Sequence, residues 1–184
     1  MQTESDDQLL ARIRGGDAEA FGALYRRYRT PLYAFCTRML GDGDRAADAV
    51  HETFLKLHRS AGTIREAGVV RSWLYRVARN EVLQLIRRDR RDVREDPDTV
   101  WDGEDPQSIL ERAERTALLA SALRRLRDEY REVLLLREDE GLSYAEIALV
   151  TGDSTAAVKS RLFKARKGLA EVLAPRLEER RVLS

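Results

Sequence analysis

Apolar residues recur along most of this chain at intervals of three and four, the period of a helix with one buried face. Phe21, Leu24, Tyr25, Tyr28, Leu32, Phe35 and Met39 form one such stripe. Asp17 stands where an N-cap would open a helix from Ala18 to Leu40, with Thr30-Pro31 marking a kink or a division in it. Gly41-Asp42-Gly43-Asp44 is a turn, and Asp44 is the expected cap of a helix through Ser60 with Ala47, Val50, Phe54 and Leu57 inward. A loop follows from Ala61 to Val70. The helix expected from Arg71 to Arg91 buries Leu74, Val77, Ala78, Val82, Leu85 and Ile86 and leaves Arg76, Arg79, Asn80, Arg87 and Arg90 outside.

The periodicity then fails. Arg88 to Ser108 is poor in apolar residues and holds Pro97, Gly103 and Pro106, the mark of a linker. Beyond it, Ile109 to Leu126 is amphipathic, and Asp128 is placed to cap a helix with Tyr130, Val133, Leu134 and Leu136, ended by Gly141. Ser143-Tyr144-Ala145-Glu146 is a capping box opening a short helix, Ser143–Val150. Thr151-Gly152-Asp153 turns the chain, and Ser154 caps a last helix to about Leu173. A short helix, a glycine-containing turn and a second helix make a helix-turn-helix at about 143–166. Ala148, Gly152 and Val158 fall where that motif needs a small contact, a positive φ and a core residue. The fold class expected is all-α: two small helical domains, residues 1–90 and 109–184, joined by a linker at 91–108.

Composition sharpens this in three ways. No apolar run approaches the ~18 residues of a membrane span, and the acidic start Met1–Asp7 has no apolar segment behind it, so neither membrane insertion nor secretion is expected. One cysteine, Cys36, forms no intramolecular disulfide, in keeping with a cytoplasmic protein. The net charge of +1 hides a strong segregation. Residues 65–94 carry +5, residues 92–107 carry −6 and residues 159–168 carry +5. Only four of the 33 basic residues are lysines, so arginine, suited to gripping phosphates and carboxylates, dominates. An acidic spacer between two basic segments suggests a free protein held closed by attraction between the linker and the two basic helices.

The chemistry follows from the cationic last helix. A helix-turn-helix inserts its second helix into the major groove. Lys159, Ser160, Phe163 and Lys164 would face the bases, with Arg161, Arg166 and Lys167 reaching phosphates. Alternatively Phe163 belongs to the core and the cations merely decorate a solvated face. Enzyme motifs are missing. His51-Glu52-Thr53-Phe54-Leu55 opens like a zinc-protease motif but has leucine where the second histidine belongs. His51, His58 and Cys36 have no ligand spacing, and there is no phosphate loop. The expectation is no catalysis, no metal and no cofactor.

Six segments carry a family likeness: 20–28 (AFGALYRRY), 48–55 (DAVHETFL), 72–80 (SWLYRVARN), 130–138 (YREVLLLRE), 141–148 (GLSYAEIA) and 158–166 (VKSRLFKAR). Together they resemble bacterial RNA polymerase sigma factors of the sigma-70 superfamily, in the small extracytoplasmic-function (ECF) group, over roughly residues 8–173. Such proteins keep only sigma regions 2 and 4 and a linker. The resemblance implies that Asp44, Asp48, His51 and Glu52 dock on the β′ clamp helices of core polymerase and that region 4 meets the β flap. It implies that the 61–70 loop with Ile64, Arg71, Trp73, Arg76 and Asn80 captures a flipped base of the −10 element, and that the last helix reads the −35 duplex. Trp73 and Tyr75 are placed to stack on that base, or Trp73 belongs to the core. It also implies an anti-sigma partner and a linker threaded into polymerase channels. His51 replaces the family's usual glutamine, Ile64 and Val70 replace aromatics of some relatives, Arg127 replaces a proline, and 153–157 replaces a proline- and glycine-containing turn.

The function expected is therefore a promoter-specificity subunit that recruits polymerase, reads −35 and melts −10, with simultaneous engagement of both elements supplying avidity. Two alternatives stand beside it: an operator-binding regulator that acts without polymerase, and a sigma-like decoy for an anti-sigma factor.

Overall fold

A computed structural model describes residues 4–64, 68–89 and 116–182, with side chains as far as Pro175, and every regular element among them is helical. The first helix, α1 (Asp6–Arg14), was not expected from the sequence. It begins with a capping box: Ser5 Oγ accepts from the Gln8 N–H at 3.2 Å, and Gln8 Oε1 accepts from the Ser5 N–H at 2.8 Å. Its Leu9, Leu10 and Ile13 are buried.

Asp17 caps α2 (Ala18–Leu40), accepting from the N–H groups of Glu19 and Ala20 at 2.9 and 3.2 Å. The helix runs unbroken past Pro31, because Leu32, Phe35, Cys36 and Met39 on its far side stay buried in the same core as Leu24 and Tyr28. Gly41, at φ +73°, ends it and donates to the Thr37 carbonyl at 2.7 Å. The cap of α3 (Gly43–Ser60) is Asp42 rather than Asp44: its carboxylate accepts from the Arg45 N–H at 3.0 Å. The buried stripe is Ala46, Ala49, Val50, Thr53, Phe54 and Leu57. Ala47, expected inside, is exposed, since it sits one position and about 100° off that stripe. In α4 (Val70–Asp89), Leu74, Ala78 and Val82 are buried, while Val77, Leu85 and Ile86 are only half-buried.

The expected linker, and the start of the helix expected at Ile109, lie outside the described residues. Helix α5 spans 116–124, and α6 (Asp128–Leu134) follows. Asp128 is the first helical residue of α6, not its cap; it pairs with Arg131 one turn on, at 2.6 Å. The helix then widens into a π turn, Leu135–Asp139, in which the Glu140 N–H reaches back to the Leu135 carbonyl at 3.1 Å. The capping box at Ser143 and Glu146 opens α7 (Tyr144–Thr151), and Gly152 ends it at φ +79°. Ser154 accepts from the Ala157 N–H at 3.2 Å, and α8 (Thr155–Val182) continues past Pro175, well beyond the expected end at Leu173.

The buried residues of α1–α4 and those of α5–α8, among them Leu136, Leu142, Ile147, Val158 and Leu162, join in one continuous hydrophobic cluster. The two bodies also pack directly: α4 lies against α7, and α2 touches α6 and the π turn. Attraction between the linker and the two basic helices was expected to close the protein. The linker lies outside the described residues; among those described, the two bodies meet through α4, one of the two basic segments, and α2, with no substantial contact from α8.

Candidate nucleic-acid interface

Helix α8 places Val158, Leu162 and Ala165 in the core and turns Lys159, Ser160, Phe163, Lys164, Arg166 and Lys167 outward. Phe163 is 70% exposed, which rules out its reading as a core residue. Lys159 and Lys164 pair with no carboxylate among the described residues, leaving their charges available to an anion. The arginines differ. Arg161 grips Asp153 of the preceding turn with both ends of its guanidinium, and Arg166 bonds Glu138 at 2.6 Å on the surface. Arg161 therefore stiffens the turn.

Helix α4 carries three stripes. Leu74, Ala78 and Val82 enter the N-terminal core. Arg76, Asn80, Gln84 and Arg87, at intervals of three and four, are exposed. Arg71, Tyr75 and Arg79 form the third stripe and face the C-terminal body. Arg79 grips Glu132 with two hydrogen bonds, 2.8 and 3.1 Å, and the Glu132 side chain is 1% exposed. The Tyr75 hydroxyl donates to the Glu140 carboxylate, Arg71 donates to the Glu140 backbone carbonyl, and Arg38 of α2 pairs with Asp139. Burial pushes the carboxyls of Glu132 and Glu140 above the usual range, against the opposing pull of Arg79 on the first and of Tyr75 and Arg71 on the second. Burial and the bond to Glu140 likewise raise the Tyr75 phenol. Nearby, burial and the Glu140 charge push the Cys36 thiol up to about 12.

The remaining expected residues are scattered. Ile64 is 6% exposed, turned into the core beside Ala61 and Val70 instead of outward. Trp73 is half-buried against the core. On α3, Asp44, Asp48 and His51 are exposed and Glu52 half-buried, and the three carboxylates pair with no cation among the described residues. The structure does not bring the α3 ridge, the exposed α4 stripe and the α8 stripe into one site; they are three separate surfaces. Sequence reasoning missed Glu132, Glu140, Asp7 and Arg14. Glu132 left a signal: a carboxylate directly before the apolar run at 133–136 needs a partner to be buried.

The Sigma-70 region 2 family model matches residues 24–92, and the Sigma-70 region 4 model matches 116–169. The chain is also 34% identical to the RNA polymerase sigma-H factor of Pseudomonas aeruginosa, over 96% of this chain and 97% of that protein. The chain belongs to the sigma-70 family. A second relative of this sigma factor, the ECF RNA polymerase sigma-E factor of Escherichia coli K12, is 28% identical over 93% of the chain and 95% of its own length, which places the chain among ECF sigma factors. The structure of CnrH in complex with the cytosolic domain of CnrY matches 94% of the chain at a TM-score of 0.75 and 26% identity, covering 99% of that structure. The sigma factor RpoE of Bartonella quintana, solved with the anti-sigma factor NepR, shares the fold at a TM-score of 0.71 and 24% identity, covering 85% of this chain and 98% of its own.

As a sigma factor, the chain is a transcription initiation factor, of a family whose partners are RNA polymerase and promoter DNA. Its outward α8 stripe lies within the region 4 match and its α4 stripes within the region 2 match. Among the described residues no helix is long and apolar enough to cross a membrane.

Proposed function

We propose that this ECF sigma factor directs core polymerase to promoters by reading −35 duplex with α8 and capturing melted −10 strand beside α4. The observation that carries the reading is the α8 stripe, where two unpaired lysines flank Ser160 and an aromatic ring held 70% in solvent. Leaving a phenylalanine in water is unfavourable unless a partner covers it, and a thymine methyl in the major groove is a suitable one. On α4, exposed Arg76 and Asn80 face away from the C-terminal body and stay available for single-stranded DNA. The unpaired Asp44, Asp48 and Glu52 ridge suits a basic clamp surface on polymerase, with His51 in the same patch.

Length dictates that the two bodies separate to do this. Elements centred near −35 and −10 lie about 85 Å apart at ~3.4 Å per base pair. A compact protein of this size has a radius of gyration of about 16 Å and is about 40 Å across. The expected linker, residues 91–108, reaches at most about 60 Å, to which the width of the two bodies adds. An anti-sigma partner, of the kind bound by the Bartonella relative, would act by holding the bodies together.

Run-off transcription with core polymerase on a promoter library tests the reading. Promoter-selective transcripts that disappear with Lys159→Ala/Lys164→Ala, or with Asn80→Ala, support it. A protein that binds DNA but not polymerase is instead an operator-binding regulator. One that binds polymerase and starts nothing is a decoy.

A further inference from the structure

Helix α1 precedes the region 2 match, which begins at residue 24. Its Leu9, Leu10 and Ile13 seat it against α2 and α4. Asp6 anchors its first turn to Arg27 and Tyr28. Asp7 and Arg14, seven residues and two turns apart, share one edge of the helix. From that edge both reach the segment between α3 and α4. The Arg14 guanidinium donates to the Ala61 carbonyl at 3.1 Å and to the Ile64 carbonyl. The Asp7 carboxylate accepts from the Gly68 N–H with both oxygens, at 2.9 and 3.0 Å, where Gly68 holds φ +73°.

We infer that α1 is a brace for the −10 recognition loop, with Asp7 and Arg14 as positioning residues that set the base preference. The inference rests on the function proposed above. All three contacts go to backbone atoms, so the brace fixes the two flanks of the loop, at 61–64 and at 68, regardless of their side chains. It holds both ends at once, Ala61 and Ile64 on the α3 side and Gly68 on the α4 side. A pocket for an unstacked base discriminates only if its walls are in place before the base arrives; a loop ordered on binding would accept several bases with similar affinity. The bonds are charge-assisted, and losing one is worth about tenfold in an equilibrium.

The test uses the full chain with core polymerase on templates with a constant −35 element and randomised −10 positions. Asp7→Ala and Arg14→Ala are compared with wild type and with Asp7→Asn, which can still accept from the Gly68 N–H. The two alanine variants are expected to bind core polymerase and melt thermally as wild type does, and to depend equally on −35, while −10 base preference falls about tenfold. Asp7→Asn should recover most of the preference. Wild-type selection with unchanged selection in both alanine variants overturns the brace alone. So does a uniform loss of core binding, −35 dependence and melting temperature, which marks α1 as merely structural. A wild-type protein that selects no promoter overturns the proposed function, and the brace with it.

Discussion

The bonds between Arg79 and Glu132 join the two bodies at a point where neither partner has much water to fall back on: Glu132 is 1% exposed and Arg79 19%. Arg79→Ala leaves the carboxylate buried without its main counter-ion. Breaking a buried pair from one side costs about 3–5 kcal/mol. Arg161 also reaches Glu132 electrostatically, which keeps the loss near the lower end of that range. Even so, packing weakens by a factor of roughly 100 or more. Small-angle scattering at fixed salt reads the result directly. The wild-type radius of gyration should be about 16 Å, and that of Arg79→Ala above about 20 Å as the bodies part. Replacing both partners, Arg79→Met with Glu132→Leu, removes the stranded charge as well as the bond and should restore the compact form, because apolar substitutes for a buried pair are often neutral or better. An Arg79→Ala protein as compact as wild type refutes the argument. So does a double variant as open as the single one.

Acid should favour the packed form. Glu132 and Glu140 both titrate higher when packed than when exposed, so the packed state holds protons more tightly; its advantage is full below the ordinary carboxylate range and fades as pH rises through the raised values. Scattering from Arg79→Ala, whose bodies stand apart, should show contraction as pH falls towards the ordinary carboxylate range, muted when Glu132→Gln is added. Lys159→Ala and Lys164→Ala should each reduce the slope of log affinity against log salt, for duplex bound by the holoenzyme, by up to about 0.9. An unchanged slope would mean the lysine removed touches no phosphate. Ser143→Ala removes half of the α7 capping box and should lower unfolding stability by about 1 kcal/mol in a denaturant titration. Cys36, buried with a thiol raised to about 12, should not react with maleimide at pH 7 until the protein unfolds.

The helices and their caps were readable because each rests on local rules: Asp17, the Ser143/Glu146 box, Ser154 and Gly152 need only neighbours within four residues. The Asp42/Asp44 error was one of choice between two acceptors two residues apart, which local grammar does not separate. The α1 helix was legible in principle, since Ser5, Gln8, Leu9, Leu10 and Ile13 spell a capped amphipathic turn, but the acidic start drew attention to charge instead. The α8 stripe was legible from spacing alone. The burial of Ile64 and the partners of Arg71, Tyr75 and Arg79 were not. The partners depend on which face of one body meets the other across 53 to 69 residues of chain, and the burial of Ile64 on packing within the N-terminal body; no periodicity encodes either.

The π turn at Leu135–Asp139 makes the join between the bodies a matter of phase. A π turn carries one residue more than the α-helical turn it replaces, so everything after it is rotated by about 100° relative to an unbroken helix. Glu140 sits immediately past that offset, and its carboxylate and carbonyl meet Tyr75 and Arg71 only because of it. Deleting a single residue inside the turn would swing both groups away while every side chain of the contact remained in the chain. Helical pitch, and not charge alone, thus decides whether regions 2 and 4 of this sigma factor find each other.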